Sequence, residues 1–565
     1  MVFIVERYIT GLPGDVERLL EPLGRVAAEM RAEGVPVDYA GSLVMAEDDV
    51  VLCRFEGPSE RIVAELNRRA GVAYDRIVPA VAVGGPRGVG ATLQLTDTIL
   101  GDAAVRTLGA HLDGVAIAPG DGDYDRARAV WNAMIDRRPA VIARCRSVSD
   151  VRTALRFARE HDLPIAVRGG GHNVAGNAVC DGGIVIDLSP MKAIHVDPEQ
   201  RTARVEPGVT LGELDRATQA FGLATPTGLI SMTGIAGLTL GGGLGWLARR
   251  NGTTCDNLRS AEVVLANGEV VTAGPDDDAD LLWGLRGGGG NFGIVTSFEY
   301  ALHPVGPQVL AGAIFHRGDV APEALRFYRE FVAEAPDELT VNAVVLTAPE
   351  APFLPSEAHG TPAVALALCY AGDLERGERV LRPLRAHGNP LADAVTPMPY
   401  IALQTMFDAG YPSGLQNYWK SCYLDGLSDE AIDVALDGAR GMTSPLSSFY
   451  FQPMGGAIAR PTDQAAFGHR DAAFDFNILS VWGEPAESDE HVAWTRALWQ
   501  AIQPFASDGV YVNNLGDEGP DRVRAAYAPA IYDRLVSLKD RYDPDNVFRM
   551  NQNIPPSRGL ASSSA

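Results

Sequence analysis

An α+β fold is predicted, with a small antiparallel unit ahead of a larger mixed one. Three observations predict it. Residues 1–84 read β-α-β-β-α-β from the period of their apolar residues. From about residue 116, short strands and helices follow without the regular strand–helix–strand repeat of a doubly wound sheet. Residues 307–505 then carry longer segments with the two-residue alternation of half-buried strands.

Taken in order, 2–8 reads as a strand. A helix follows over 14–32 with Leu19, Leu20, Leu23, Val26 and Ala27 on one side. Strands over 35–45 and 50–55 flank the acidic turn Glu47-Asp48-Asp49, Ser59 is placed to cap a helix over 60–70, and 77–83 closes the unit. That order suggests a ferredoxin-like sandwich over 1–84. Gly84-Gly85-Pro86-Arg87-Gly88 then opens a linker over 85–115. The mixed unit, 116–306, reads as a helix over 150–161, strands over 164–167, 183–188 and 202–206, and a helix over 211–221. Asn267-Gly268 between two β-branched runs signals a hairpin of 261–265 with 270–273. An antiparallel-sheet unit spans 307–507, a segment dense in aromatic and amide residues spans 508–556, and the Ser- and Ala-rich tail 557–565 is expected to be disordered.

The chain has 565 residues and a formal net charge of −24, from 48 Lys and Arg against 72 Asp and Glu. Such an excess repels nucleic acid and anionic membrane, and the basic pairs Arg137-Arg138 and Arg249-Arg250 stand alone. No apolar run approaches the ~18 residues of a membrane helix. The six cysteines are scattered without a CxxC, and the first residues lack the basic-then-apolar layout of a signal peptide, so a cytoplasmic setting is expected.

Glycine carries the chemistry. Arg168-Gly169-Gly170-Gly171-His172-Asn173 follows a buried-strand pattern; such a turn lets the backbone approach a ligand and offers successive N–H groups to a pyrophosphate. Further clusters fall at 234–246 and 286–296. Gly288, Gly290 and Gly293 satisfy GxGxxG, but a helix-like run precedes them and a strand follows, the reverse of the dinucleotide fingerprint in nicotinamide enzymes. Any one cluster is explained by tight packing. Three, each beside a buried strand, point to a bound dinucleotide.

Residues 164–173, 182–189, 234–246, Asp256-Asn257 and 283–297 together resemble the vanillyl-alcohol-oxidase/PCMH-type FAD-binding oxidoreductases. The likeness is to the berberine-bridge-enzyme branch and its hydroxynicotine oxidase type. Tyr511-Val512-Asn513, 541–548 and Asn551-Gln552-Asn553-Ile554 resemble that branch's terminal segment, which returns to the flavin. The resemblance implies a two-part FAD-binding domain over 116–306, a substrate domain over 307–507, and FAD attached by its 8α-methyl group to His172. Ile230 stands where many members carry a second, cysteine attachment. It further implies cofactor contacts at Arg168, Gly169, Gly170, Gly171, Asn173 and Gly176; at Thr233, Gly234, Gly237, Gly242, Gly243 and Gly245; at Asp256, Asn257, Gly293, Ile294 and Val295; and at Asn513 and Asn553. The N-terminal stretches 3–8 and 67–78 resemble a small ferredoxin-like family with nickel-binding members, although residues 1–110 hold no histidine. Homodimerisation through this unit is the expectation from fold analogy.

Four residues are candidates for the reaction. Tyr511 is implied to face the flavin, and as a base it would need a neighbour that lowers its pKa; the alternative is a packing tyrosine. Alternation places Asp475 and Asn477 on one face of a strand, opposite Phe474, Phe476 and Ile478, where they serve as base and anchor or simply meet solvent. Tyr418 lies in a stretch that resembles another lining segment of that branch. The expected activity is oxidation of an alcohol or amine carbon of a small or medium-sized molecule with O2 as acceptor. A dehydrogenase with another acceptor, and a flavin- or metal-responsive binding protein, are the alternatives.

Overall fold

In the computed structural model the described residues are 2–8, 16–45, 50–72, 76–82, 93–95, 100 and 102–558. The chain divides into two compact units, Met1–Ala103 and Ala104–Ala565.

In the first unit the strands Val2–Tyr8, Asp38–Met45, Val50–Glu56, Arg76–Ala82 and Leu93–Leu95 form one sheet with helices Val16–Ala32 and Glu60–Ala70. The order is 38–45, 50–56, 2–8, 76–82, 93–95, and each of these pairs is antiparallel. Phe3, Val5, Val51, Cys53 and Phe55 alternate onto one face and bury Leu20, Leu23, Val26, Val63 and Leu66 of the helices. Ser59 stands at the N-cap with extended backbone, but its side chain makes no capping bond. Gly71 closes the helix at φ 66°. The expected linker differs from the structure. Leu93–Leu95 pairs with Arg76–Ala82 as a fifth strand and Asp102–Ala110 is helical, while the 84–88 stretch lies outside the described residues. Of the tail, 559–565 also lies outside them.

The second unit contains three main sheets. Ile184–Asp187 runs parallel to both Val141–Arg144 and Ile165–Arg168, with Val115–Ile117 at the edge. Five antiparallel strands follow in the order Ile194–Asp197, Thr202–Val205, Ile294–Ala301, Leu258–Val264, Val270–Ala273. The hairpin at Asn267-Gly268 forms because Gly268 accepts φ 84°. The third sheet has eight strands, with a central run of Gln308–Arg317, Pro362–Tyr370, Leu339–Thr347, Ser448–Pro453, Phe474–Trp482 and Gln416–Leu424. One of its faces is covered by helices Ala321–Ala333, Asp429–Arg440 and Ser488–Ile502, which bury Phe449, Phe451, Phe476 and Ile478. The other face is left for a cavity.

Two cations fasten these parts. Buried Arg249, from the second sheet's domain, donates to three main-chain carbonyls of the third: Leu339 at 2.9 Å, Met454 at 2.6 Å and Ala335 at 3.1 Å. Lys539, in helix Pro529–Tyr542, is fully buried with Asp543 at 2.6 Å and also donates to Asn291 O and Phe548 O, each at 2.9 Å. Asp543 in turn accepts from the N–H groups of Val547 and Phe548. Removing one partner of such a pair leaves a buried unpaired charge. Lys539→Met is therefore expected to cost about 3–5 kcal/mol, read as a lowered thermal midpoint.

Candidate cofactor and substrate site

A cavity of about 810 Å³ lies within the second unit. The turn 169–173 leaves strand Ile165–Arg168 and presses against the segment before helix Ile235–Leu240. A Cβ on Gly170 would sit 2.5 Å from Gly234 Cα, so only two glycines allow the loops to meet. Gly237 has nothing within 4 Å on its Cβ side, and Gly290 only Asn551 Nδ2 at 4.0 Å. These are open cradles facing the cavity. Ser231 N–H and Oγ both donate to Asp408, at 2.9 and 2.6 Å, tying the 230–233 wall to the opposite domain.

His172 projects into this cavity with its ring stacked on Trp131 at 4.3 Å. Burial lowers its pKa to about 4, so the imidazole is neutral at neutral pH. Its Nε2 is buried and has no hydrogen-bond partner among the described residues. A neutral ring with an uncommitted nitrogen is chemically a nucleophile or a ligand.

Of the positions expected at the cofactor, Gly169, Gly170, Gly171, His172, Asn173, Thr233, Gly234, Gly237, Gly293, Ile294, Val295 and Asn513 line the cavity, and Ile230 does too. Others are corrected. Arg168 turns away from the cavity: its Nε and Nη2 bond Asp187 at 3.2 and 2.8 Å, because a buried guanidinium needs its counter-charge, and it borders an adjoining cleft of about 540 Å³ that shares Trp131 and the 169–172 turn with the cavity. Asp256 pairs with Arg470 at 2.6 Å, and Asn257 Nδ2 donates to Asn251 O and Thr253 O, so both fasten a turn outside the cavity. Gly176, Gly242, Gly243 and Gly245 are packing glycines, whose Cβ atoms would meet Ile135 at 2.6 Å, Phe467 at 2.6 Å, Thr254 Oγ1 at 2.0 Å and Thr227 O at 2.0 Å. Asn553 is not among the lining residues, although Asn551 and Gln552 are.

Tyr511 lines the cavity beside Asn513 and Asn514. Its Oη accepts from Gly243 N–H at 2.7 Å and from Asn513 Nδ2 at 2.8 Å. Burial raises its pKa further from neutrality, against the expectation of a base. With both lone pairs engaged, the phenol has its hydrogen left to donate. Asp475 and Asn477 sit one layer behind the wall. Asp475 accepts from Asn514 Nδ2 at 3.0 Å and Ser421 Oγ at 3.2 Å, and burial raises its pKa to about 7. Asn477 Nδ2 donates to Tyr450 Oη at 3.3 Å. Tyr418 is a correction: its Oη accepts from Arg496 of helix Ser488–Ile502 at 3.1 Å, on the helix-covered face, while its neighbour Trp419 lines the cavity.

Sequence reasoning missed Trp131, Asn342, Tyr450, Gln452 and Asn514 as wall residues. The signal for two of them was present: in Ser448-Phe449-Tyr450-Phe451-Gln452 the aromatic pair takes the core face and the polar residues take the other.

Glycine turns from one domain and a sheet floor from the next enclose a cavity of the size that a dinucleotide-dependent enzyme needs. Family profiles agree with that class: one described as FAD binding domain matches residues 139–274, and one described as Berberine and berberine like matches 510–555. The FAD-linked oxidoreductase YgaK of Bacillus subtilis (strain 168) is 33% identical over 455 residues, covering 79% of this chain and 98% of its own. (R)-6-hydroxynicotine oxidase of Paenarthrobacter nicotinovorans is 31% identical over 465 residues, covering 79% and 97%. The crystal structure of 6-hydroxy-D-nicotine oxidase from Arthrobacter nicotinovorans superposes with a TM-score of 0.71 at 29% identity, covering 79% of this chain and 98% of that one. The chain belongs to the berberine-bridge-like family of FAD-linked oxidoreductases.

The residues present fit FAD. The pyrophosphate would rest on the N–H groups of 169–173, and the open Cβ sides of Gly237 and Gly290 leave room for the rings. Among the described residues, no helix is long and apolar enough to cross a membrane.

Proposed function

We propose that this enzyme is an oxidase carrying FAD covalently on His172, which oxidises an alcohol or amine carbon of a small or medium-sized molecule and passes the electrons to O2. The observation that carries the reading is His172 itself: a neutral, half-buried imidazole whose Nε2 has no partner among the described residues, stacked on Trp131 at the wall of the dinucleotide-sized cavity. Most buried side-chain nitrogens in folded proteins find a hydrogen-bond partner, and at His172 the unpartnered one belongs to a residue that lines the cavity. Ile230 lines the cavity where a second attachment would need a thiol, which supports a single linkage. FAD, when bound, supplies the acceptor for the substrate's hydride. The chain's own part is to position. Tyr511 donates to the reacting oxygen or nitrogen, Asn513 and Gly243 hold Tyr511 in place, and Asp475 behind Asn514 holds or releases a proton near neutral pH. Thr233 is small enough to leave O2 a path to the cofactor.

The strand order and antiparallel pairing of 2–82 support a ferredoxin-like reading of the first unit. Cys145, Cys180, Cys255, Cys369 and Cys422 are buried free thiols, which supports a reducing, cytoplasmic setting.

Denaturing the holoprotein in SDS and mapping flavin fluorescence tests the linkage. Fluorescence is expected on the peptide that contains His172, and His172→Ala is expected to abolish it while the fold persists. Flavin released wholly into the supernatant of the wild type would overturn the covalent reading. Reduced enzyme that is reoxidised under air without releasing peroxide would overturn the oxidase reading.

A further inference from the structure

We propose that the substrate is an uncharged molecule with one polar, oxidisable end and an apolar, ring-containing body, and that Ala313, Ala365 and Ala367 set how large that body can be. This rests on the FAD reading for which end reacts, but the choice of chemical class comes from the walls.

Among the described residues that line the cavity there is no Asp, Glu, Lys or Arg, and the lining His172 is neutral. A charged group resting on the sheet floor, away from the 169–173 N–H groups that fit the pyrophosphate, would be stripped of water without a counter-charge, which weakens binding by orders of magnitude. The floor is then sorted by polarity. Strand register places Phe315 opposite Ala365, Ala365 opposite Val344, Val344 opposite Tyr450, and Tyr450 opposite Asn477. One row thus runs from apolar to polar across five strands. At about 4.8 Å between strands, the apolar part from Phe315 to Val344 covers roughly 10 Å, the length of a fused two-ring system.

The neighbouring row repeats the gradient. Ala313 faces Ala367, and Ala367 faces Asn342. Asn342 borders the cavity, which puts a polar side chain at the end of this row. The polar ends of the rows lie toward Tyr450, Gln452 and Asn514, the side of Tyr511. Methyl side chains at 313, 365 and 367 keep the apolar end open, where larger ones would fill it. Phe353 and Leu446, 49% and 51% exposed, also line the cavity and give it an apolar approach. An oligosaccharide is the wrong shape of polarity. Each of its hydroxyls set against Ala, Val or Phe loses water without gaining a partner and weakens binding by about tenfold.

Titration calorimetry of the holoprotein with three probes tests the proposal: 1-(2-naphthyl)ethanol, the anion 4-(1-hydroxyethyl)benzoate, and cellobiose. The neutral bicyclic alcohol is expected to bind at least about tenfold more tightly than either of the others. Ala367→Phe is expected to weaken 1-(2-naphthyl)ethanol at least about tenfold more than 1-phenylethanol, because only the longer body reaches that strand. Cellobiose or the benzoate binding as tightly as the naphthyl alcohol would overturn the proposal, as would equal losses for both aryl alcohols in the variant. Flavin absorbance of the same samples reports separately on the cofactor reading. Protein without flavin that keeps the probe order defeats that reading alone, and flavin-loaded protein with the order reversed defeats the substrate class alone.

Discussion

Tyr511→Phe is expected to slow reduction of the bound FAD by about 10²–10³-fold while leaving the FAD in place. The phenol oxygen receives two hydrogen bonds, from Gly243 N–H and Asn513 Nδ2. Its proton is held firmly, since burial raises its pKa. Under the proposed function it acts as a fixed donor toward the charge that develops on the substrate's oxygen or nitrogen, and removing the hydroxyl removes that interaction from the transition state. The same substitution leaves the Gly243 N–H without its acceptor, so about 1–3 kcal/mol of stability should go with it. Anaerobic stopped-flow bleaching of the flavin reads the first effect and thermal unfolding reads the second. Full-speed reduction with only the melting point lowered would make Tyr511 a packing residue and nothing more.

Asp475→Asn is expected to remove both a pH step in activity near 7 and a pH dependence of stability. The carboxyl is wholly buried, and burial, opposed by the hydrogen bonds from Ser421 and Asn514, raises its pKa from 3.8 to about 7. In the unfolded chain the group ionises near 4. Between 4 and 7 the folded protein therefore holds a proton that the unfolded chain has lost, and stability falls as pH rises through that window, then levels above 7. The full penalty is on the order of 4 kcal/mol. The amide has nearly the same shape and cannot ionise, so the variant should match the wild type near pH 4 and exceed it at pH 8. Unfolding curves at the two pH values measure this, and a wild-type-like slope in the variant would show that another group is responsible.

Much of the architecture could be read from local pattern, because a strand or helix buried on one side must repeat its apolar residues at a fixed period. The first unit's elements fall close to their expected bounds for that reason, and a strand runs through Asp475 and Asn477 where alternation placed one. The site was less legible. Gly237 and Gly243 look alike in sequence, yet one faces the cavity and the other makes room for Thr254. The difference depends on what the fold brings opposite. Tyr418 was carried over by resemblance as a lining residue, and the sequence does not say which face of its strand helix Ser488–Ile502 will cover. Asp256 and Arg168 were carried over by resemblance as cofactor contacts, and each instead spends its charge on a partner, Arg470 or Asp187.

The manner in which Arg249 grips the eight-stranded sheet has a consequence for how such enzymes diversify. Its three acceptors are all peptide carbonyls, of Leu339, Met454 and Ala335. Any side chain can occupy those positions without altering the joint, provided the backbone keeps its path. The floor of the cavity can thus be rewritten residue by residue, or exchanged whole in a chimera, while its seating against the flavin domain stays as it was.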